Sequence, residues 1–520
     1  KVYKQNIYEI NPVIPVNNYI EKNNFRTKVE WKSSFGGGNA GGTGQQNNSF
    51  RVDYGLGDFT QLTGYFAEAD DDTFNQINGK RAQYFLQTYA LSLKQKIWSF
   101  ENLNSSLSFL SSIEYFRVSS GSEETISIFN QTNDSLGKDK FGKFIYSFSI
   151  PYTKKLTNKI TYSLVPGFIS MPDKLGSRTL GNNFYGKNFF IGNGITFEFK
   201  DNLNLFGSIT NPLGPGNNHF DKNLNFSRKP IYSFGLNWDL NPKIALETKL
   251  TNGFGSTPST GLLTLPSKNV TLYAANIKYT PYGEDTPLKP LNKRDKLISK
   301  GGITVNNALM PTNGAHQITS NIDSKGNYSA TYGYSLSNIF QLELLNLGII
   351  NNTKNNIHFN KNFTNTYLDE NNFNIRVGGK FLLFSPQKND ALWTSFRTSL
   401  GRNESSNQGY IFSELINTYR LNNWVTSNLS SKYFLSGLEK FGGFGASIYL
   451  NLSDNILIIP ETNFLLSQEL KSNYTISIRY SLNKNKSIDL FTSNALGTQD
   501  LGQLLKSKDT RFGVKFNLLY

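Results

Sequence analysis

The chain ends in Arg511-Phe-Gly-Val-Lys-Phe-Asn-Leu-Leu-Tyr520, and the reading of this stretch decides the fold. Phe512, Val514, Phe516, Leu518 and Tyr520 share one parity. Arg511, Gly513, Lys515 and Asn517 share the other, and Leu519 alone breaks the rule. Successive side chains of an extended chain point to opposite faces, so this is a strand with one apolar and one polar side. The alternation recurs upstream. Residues 83–98 carry Tyr84, Leu86, Tyr89, Leu91, Leu93 and Ile97 between polar partners. Tyr474, Ile476, Ile478, Tyr480 and Leu482 alternate with Asn473, Thr475, Ser477, Arg479 and Ser481.

The connections between such segments come in two kinds. Tight turns rich in Asn, Asp, Ser and Lys occur at Thr157-Asn158, Asp201-Asn202, Asn241-Pro242, Ser337-Asn338, Asn422-Asn423, Ser453-Asp454-Asn455 and Asn483-Lys484-Asn485. Asn and Asp tolerate the left-handed backbone that short turns need. Longer irregular stretches lie between them at residues 36–48, 70–80, 173–187, 214–228, 253–268, 352–372 and 496–509. This alternation of short and long connections is not that of a soluble β-sandwich. It is that of a membrane β-barrel with short periplasmic turns and long extracellular loops.

A final amphipathic strand ending in an aromatic residue resembles the assembly signal of Gram-negative outer-membrane β-barrels, with Phe512, Val514, Phe516, Leu518 and Tyr520 in that role. The resemblance implies an outer-membrane location, insertion by a barrel assembly machinery, and contact with outer-membrane lipid and lipopolysaccharide. Porins of this kind are commonly trimers, so a homo-oligomer is one expectation. The Asn- and Lys-rich usage suggests an AT-rich genome, and residues 241–281 look faintly like outer-membrane proteins of marine cyanobacteria.

Composition agrees. The chain has 520 residues, 38% of them hydrophobic and 18% charged, with 40 Phe and 27 Tyr against 5 Trp. A soluble chain this long usually splits into domains, whereas barrel size scales with strand number. Aromatic girdles at two membrane interfaces are one use for so many rings. No apolar run reaches the length of a membrane helix. Lys1-Val-Tyr-Lys lacks an initiator Met and reads as a mature start after signal-peptide cleavage. Cys is absent, which removes thiol nucleophiles and thiolate metal sites.

The expected architecture is therefore all-β: one large antiparallel transmembrane barrel over residues 28–520 with about 24 strands (range about 18–26), preceded by a periplasmic extension over residues 1–27. The least regular link, residues 281–300, carries three prolines and eight charged residues. It is either an enlarged turn or the join of two smaller barrels, residues 28–280 and 300–520. The single barrel is favoured because no assembly-signal strand clearly precedes Pro281, although residues 271–279 alternate and end in Tyr279.

Net charge is +15, yet Lys and Arg are scattered singly, so nucleic acid is not an expected partner. The Gly-rich stretch at 36–48 has no phosphate-loop Lys. His219, His316 and His358 stand apart, and no nucleophile elbow occurs, so no enzyme and no cofactor are expected. Glu68, Asp70, Asp71 and Asp72 form a weak candidate for a hard cation, read more simply as a solvated loop. If apolar residues face lipid, then Lys143, Lys249, Lys278, Arg479, Arg511 and Lys515 line the lumen, together with Glu198, Glu247 and Asp489. Such a lining favours anions if the cations are not all paired. The expected function is passive diffusion of small hydrophilic solutes with an anion bias. The alternative is a barrel for polysaccharide or lipid export, or for surface adhesion as a phage or ligand receptor.

Overall fold

The computed structural model describes residues 9–34, 46–72, 77, 83–120, 139–173, 184–282, 288, 290–350, 372–388, 390–403, 408–466 and 471–520. It is all-β, and its strands close into two rings rather than one.

The first ring runs through Phe25–Ser34, Gln46–Gly57, Thr60–Asp72, Gln83–Phe100, Ser105–Ser120, Asp139–Ser149 with its continuation Tyr152–Lys155, Ile160–Ser170, Lys187–Lys200, Leu203–Pro215, Ile231–Asp239, Ile244–Thr251 and Leu272–Tyr279. Each strand is antiparallel to the next, and Leu272–Tyr279 closes on Phe25–Ser34 with Lys278 opposite Lys28. The second ring runs from His316–Asp323 to Lys506–Leu519 and closes with Ile318 opposite Leu518. Each ring has twelve strands, so the expected total of about 24 is present, divided in two. The single barrel is thereby corrected. Alternation tells which side of a strand meets lipid, but it does not tell which strand lies across the seam. Residues 271–279, which resembled a closing strand, contain one.

The second ring shows the alternation most cleanly. Ile476, Ile478 and Tyr480 are 47–52% exposed, while Thr475, Ser477 and Arg479 between them are at most 1% exposed. In the last strand Phe512, Val514, Phe516 and Tyr520 point outward. Leu519, which breaks the sequence pattern, points inward and is buried. No described helix is long and apolar enough to cross a membrane.

All seven tight turns expected from Asn and Asp lie at one end of their own ring, the end from which the first strand departs and at which the last one arrives. Asn241 shows the mechanism: its side-chain Oδ1 accepts from Lys243 N (2.9 Å) and Ile244 N (2.7 Å), and Asn483 repeats this with Asn485 N and Lys486 N (2.9 and 2.8 Å). The longer connections at 214–228, 253–268 and 496–509 lie at the opposite end, and those at 36–48, 70–80, 173–187 and 352–372 are largely outside the described residues. Aromatic side chains mark both rims of the second ring: Tyr480 and Tyr520 at the short-turn end, Tyr474 and Phe512 towards the other.

Candidate functional site: two lumens filled by their own chain

In each ring the lumen is occupied by segments of the same chain. In the first ring, the residues just before the first strand enter it. Glu9–Asn11 and Ile14–Pro15 pair as a short hairpin. The Asn11 side chain shapes its turn by accepting from Val13 N and Ile14 N, both at 3.0 Å, and donates to Ser208 Oγ on the wall. Ile10, Val13, Ile14 and Val16 are at most 4% exposed and pack with wall residues such as Ile145, Val165, Phe190 and Phe206. Gly194 makes room for them: a Cβ there would stand 2.5 Å from Ile10 Cδ1. On this half of the wall apolar inward residues thus alternate with polar ones such as Ser163, Ser208 and Thr210, contrary to the rule that only polar residues face the lumen. The hairpin supplies apolar partners that water would not.

The other half of that wall is charged. Among its buried residues, Arg26, Lys28, Lys32, Arg51, Lys94, Lys249 and Lys278 outnumber the wall carboxylates Glu30, Asp53, Glu114, Asp239 and Glu247. Lys249 Nζ is 2.8 Å from Glu30, Lys28 is 3.4 Å from Glu30 and 3.6 Å from Glu247, and Lys278 contacts Glu247. Arg26 and Arg51 share Asp53 at 2.9 and 2.7 Å. The inserted hairpin adds Glu9, which contacts Arg51 and lies 3.3 Å from Lys28. Burial works to raise the Glu9 carboxyl, but Arg51 and Lys28 outweigh it and hold it below the usual carboxylate range. Lys94 donates to the carbonyls of Val16 (3.1 Å) and Asn18 (2.6 Å) of the same segment.

The loop before the last strand enters from the opposite end. Lys32 donates to the carbonyls of Phe254 and Gly255 at 3.1 and 3.0 Å, and Glu114 accepts from Ser259 N (2.7 Å) and Thr257 Oγ1 (2.5 Å). A cavity of about 570 Å³ remains at the short-turn end, floored by Val16 and Asn17 and rimmed by Lys96, Lys155, Lys159 and Glu198.

The second ring repeats the plan with different chemistry. A short helix, Lys293–Ser299, capped by Asn292 Oδ1 accepting from Asp295 N (2.8 Å), leads into residues 300–310 inside the lumen. Three consecutive amides, Ile303, Thr304 and Val305, donate to the Glu461 carboxylate at 2.7, 2.6 and 2.8 Å, and Thr304 Oγ1 adds a fourth bond at 2.8 Å. Gly302 is required there, since a Cβ would sit 2.3 Å from Glu461 Oε1. Wall cations clasp the segment's carbonyls: Arg479 those of Leu297 and Gly301, Lys432 that of Thr304 (2.7 Å), Lys380 that of Leu309 (2.6 Å), Lys515 that of Gly302 (2.5 Å). From the other end, residues 496–505 fold in. Asp500 lies 3.2 Å from Arg376 and 3.7 Å from Arg397 and accepts from the Tyr410 hydroxyl at 2.9 Å. Burial pushes its carboxyl up to about 6 against the pull of Arg397 and the Tyr410 hydroxyl.

The residues expected to line a lumen are thus distributed between two. Lys249, Lys278 and Glu247 meet in the first. Arg479 and Asp489 form a buried pair in the second, 2.6 Å apart, with Lys515 nearby on the neighbouring strand opposite Asp489. Arg511 pairs with Asp323 at 2.7 Å. Lys143 is exposed at the start of its strand, and Glu198 is half-buried at the rim of the larger cavity.

Glu68 accepts from Gln87 Nε2 at 2.8 Å, within Thr60–Asp72. That strand, rather than a loop, carries Asp70, Asp71 and Asp72, whose side chains lie outside the described residues. His219 Nδ1 meets Thr264 Oγ1 (2.8 Å) and His316 Nδ1 meets the Tyr332 hydroxyl (2.7 Å), while His358 lies outside the described residues.

Sequence reading missed the inward loop and its duplication, although a signal existed. Tyr232, Asn241, Glu247, Thr251 and Asn252 recur at one constant spacing as Tyr474, Asn483, Asp489, Ser493 and Asn494. Their bonds recur too: Asn252 Oδ1 accepts from Tyr232 N at 2.8 Å, and Asn494 Oδ1 from Tyr474 N at 2.7 Å. Thr251 Oγ1 accepts from Gly253 N, and Ser493 Oγ from Ala495 N, each at 3.0 Å. In both rings this hydroxyl–amide pair ends the eleventh strand and starts the loop that folds in.

A closed antiparallel ring with an apolar exterior and charges inside is the outer-membrane type of β-barrel. No family model matches the chain, and no curated relative does. Among solved structures it is similar to the KdgM porin in complex with disordered oligogalacturonate (11% identity, 39% of this chain and 98% of that one, TM-score 0.29). It is similar to the NanC porin (8%, 49% and 98%, TM-score 0.29) and to the ferric enterobactin receptor PfeA of Pseudomonas aeruginosa (9%, 96% and 81%, TM-score 0.23). Overlaps this low add nothing to the barrel assignment, which rests on ring closure and the two faces.

Proposed function

We propose that the chain is a Gram-negative outer-membrane channel for small hydrophilic solutes, biased toward anions, whose two lumens are held closed by their own inserted segments. The observation that carries this reading is the surplus of buried wall cations in the first ring, where the N-terminal insert supplies the Glu9 carboxylate as a counter-charge and the carbonyls of Val16 and Asn18 as acceptors for Lys94. Withdrawal of that segment exposes a cationic half-wall, which concentrates anions and lowers their entry barrier. The short turns then face the periplasm and the longer loops the outside. Passive flow needs no cofactor.

A second reading, a barrel for export or surface adhesion, is favoured by the degree to which both lumens are filled. Planar-bilayer recording under a KCl gradient separates the two. The full chain is expected to open rarely, and a variant lacking residues 9–20 to open in steps with a reversal potential of anion sign. A cation-sign potential overturns the bias, and silence from both proteins leaves the export or adhesion reading.

A further inference from the structure

The segments that enter the two lumens from the short-turn end are versions of one element. Ile14-Pro-Val-Asn-Asn18 in the first ring recurs as Ile303-Thr-Val-Asn-Asn307 in the second, each followed two positions later by a buried aliphatic residue, Ile20 and Leu309. In each ring a lysine of the fourth strand clasps the segment's carbonyls: Lys94 those of Val16 and Asn18, Lys380 that of Leu309. Apolar burial is alike as well. Ile10, Val13, Ile14 and Val16 in one segment and Ile303, Val305, Leu309 and Met310 in the other are each at most 4% exposed. What separates the two segments is their anchoring.

One difference is what departure would leave behind. If the first segment leaves, the cations that Glu9 holds keep wall carboxylates: Arg51 has Asp53 at 2.7 Å, and Lys28 has Glu30 at 3.4 Å and Glu247 at 3.6 Å. If the second leaves, Glu461 loses the three amides and the hydroxyl that hold it, and Lys380 and Lys515 lose their carbonyls. Among the described residues none of these three has an oppositely charged partner within ion-pair distance. Buried charge stripped of its partners is costly.

The other difference is access. The first segment already borders the cavity of about 570 Å³ at the short-turn end, through Val16 and Asn17. The second runs directly from helix Lys293–Ser299, which is tied to the tight turns at that end of its own ring. Arg294 donates to Asn422 O (2.9 Å) and Thr426 Oγ1 (2.8 Å), Lys293 lies 3.4 Å from Asp454, and Arg420 pairs with Asp295. The segment is thus fixed at the helix and again where the wall begins at His316.

We propose that the two segments differ in function: the first is a movable plug, so that solute passes through the first ring alone, and the second is a fixed part of its wall. The solute path rests on the channel reading above; the difference in mobility does not. Hydrogen exchange on the full chain in detergent tests the mobility. Peptides covering residues 10–20 are expected to exchange about 100-fold faster, or more, than those covering 303–309. In Glu461→Gln the second segment should speed up about 10-fold or more while the first is unchanged. Equal exchange in the two segments overturns the proposal, as does faster exchange at 303–309.

The path is tested in planar bilayers with the variant lacking residues 9–20. The chain has no Cys, so one introduced thiol reports one ring. A bulky thiol reagent is expected to cut conductance by about half or more at Lys155→Cys, on the rim of the first ring's cavity, and to leave it unchanged at Lys293→Cys. Block at Lys293→Cys overturns the assignment of the path to the first ring. Silence of the deletion variant together with unequal exchange sinks the channel reading and leaves the plug and the fixed segment standing.

Discussion

The two rings share a strand count and a closing device, yet they hold their inserts by different balances of apolar and polar contact. In the first, the hairpin at residues 9–16 is packed mainly by oil: Ile10, Val13, Ile14 and Val16 meet the inward Ile145, Val165, Phe190 and Phe206. In the second, residues 300–309 are held by ions and dipoles, with Glu461 on three amides and Arg479, Lys432, Lys380 and Lys515 on carbonyls. Ile303, Val305, Ala308 and Leu309 of that segment are buried too, but the bonds that fix it are polar, and an apolar cluster gathers around the other insert, with Leu496, Leu501, Leu504 and Leu505 against Tyr410, Phe412, Phe434 and Phe441. A lumen can thus be filled in two ways. Apolar filling tolerates loss of a charge. Polar filling does not, because each removed partner strands several buried groups.

The sharpest way to break this comparison is Glu461→Ala. It leaves three buried amides and a hydroxyl without their acceptor, and a loss of about 3–5 kcal/mol from the second ring is expected in thermal unfolding. A loss under about 1 kcal/mol would show that the segment is not held by that carboxylate. Next comes a paired test in the first ring. Ile14→Ala is expected to cost about 2–4 kcal/mol through the cavity it leaves. Glu9→Gln, which keeps shape and removes charge, should cost clearly less. The reverse order would mean that both inserts are ion-held.

A smaller effect concerns pH. The Asp500 carboxyl, raised to about 6 from an ordinary 3.8, keeps its proton in the folded chain where the unfolded chain has lost it. Stability therefore falls as pH rises from about 4 to about 6 and levels off above that. The groups facing it are Arg376, Arg397, Glu343, Glu414 and the Tyr410 hydroxyl. Melting temperature measured across this window should lose that slope in Asp500→Asn. An unchanged slope assigns the dependence elsewhere.

Much of this was legible before any coordinates. Ile476, Thr475, Ile478 and Arg479 declared their faces because a strand's period is two. Asn241 and Asn483 declared turns because their side chains can cap the next amides. Leu519 was legible only as an exception. Phe116, Phe190 and Phe206 were not legible as inward residues, since an apolar side chain is suited equally to lipid and to an apolar insert. The Glu461 cradle was invisible as well. Nothing local to Gly302-Ile-Thr-Val305 names a carboxylate more than 150 residues away.

By itself the chain determined a closed antiparallel wall, the side of each clean strand that meets oil, and the end of the wall at which each tight turn lies. These follow from the local period and turn chemistry. Only the tertiary structure decided that the wall closes twice, that Leu272–Tyr279 seals the first ring against Phe25–Ser34, and that both lumens are filled from within. Closure and filling are contacts between residues far apart in sequence, and a two-residue period carries no information about which distant partner completes them.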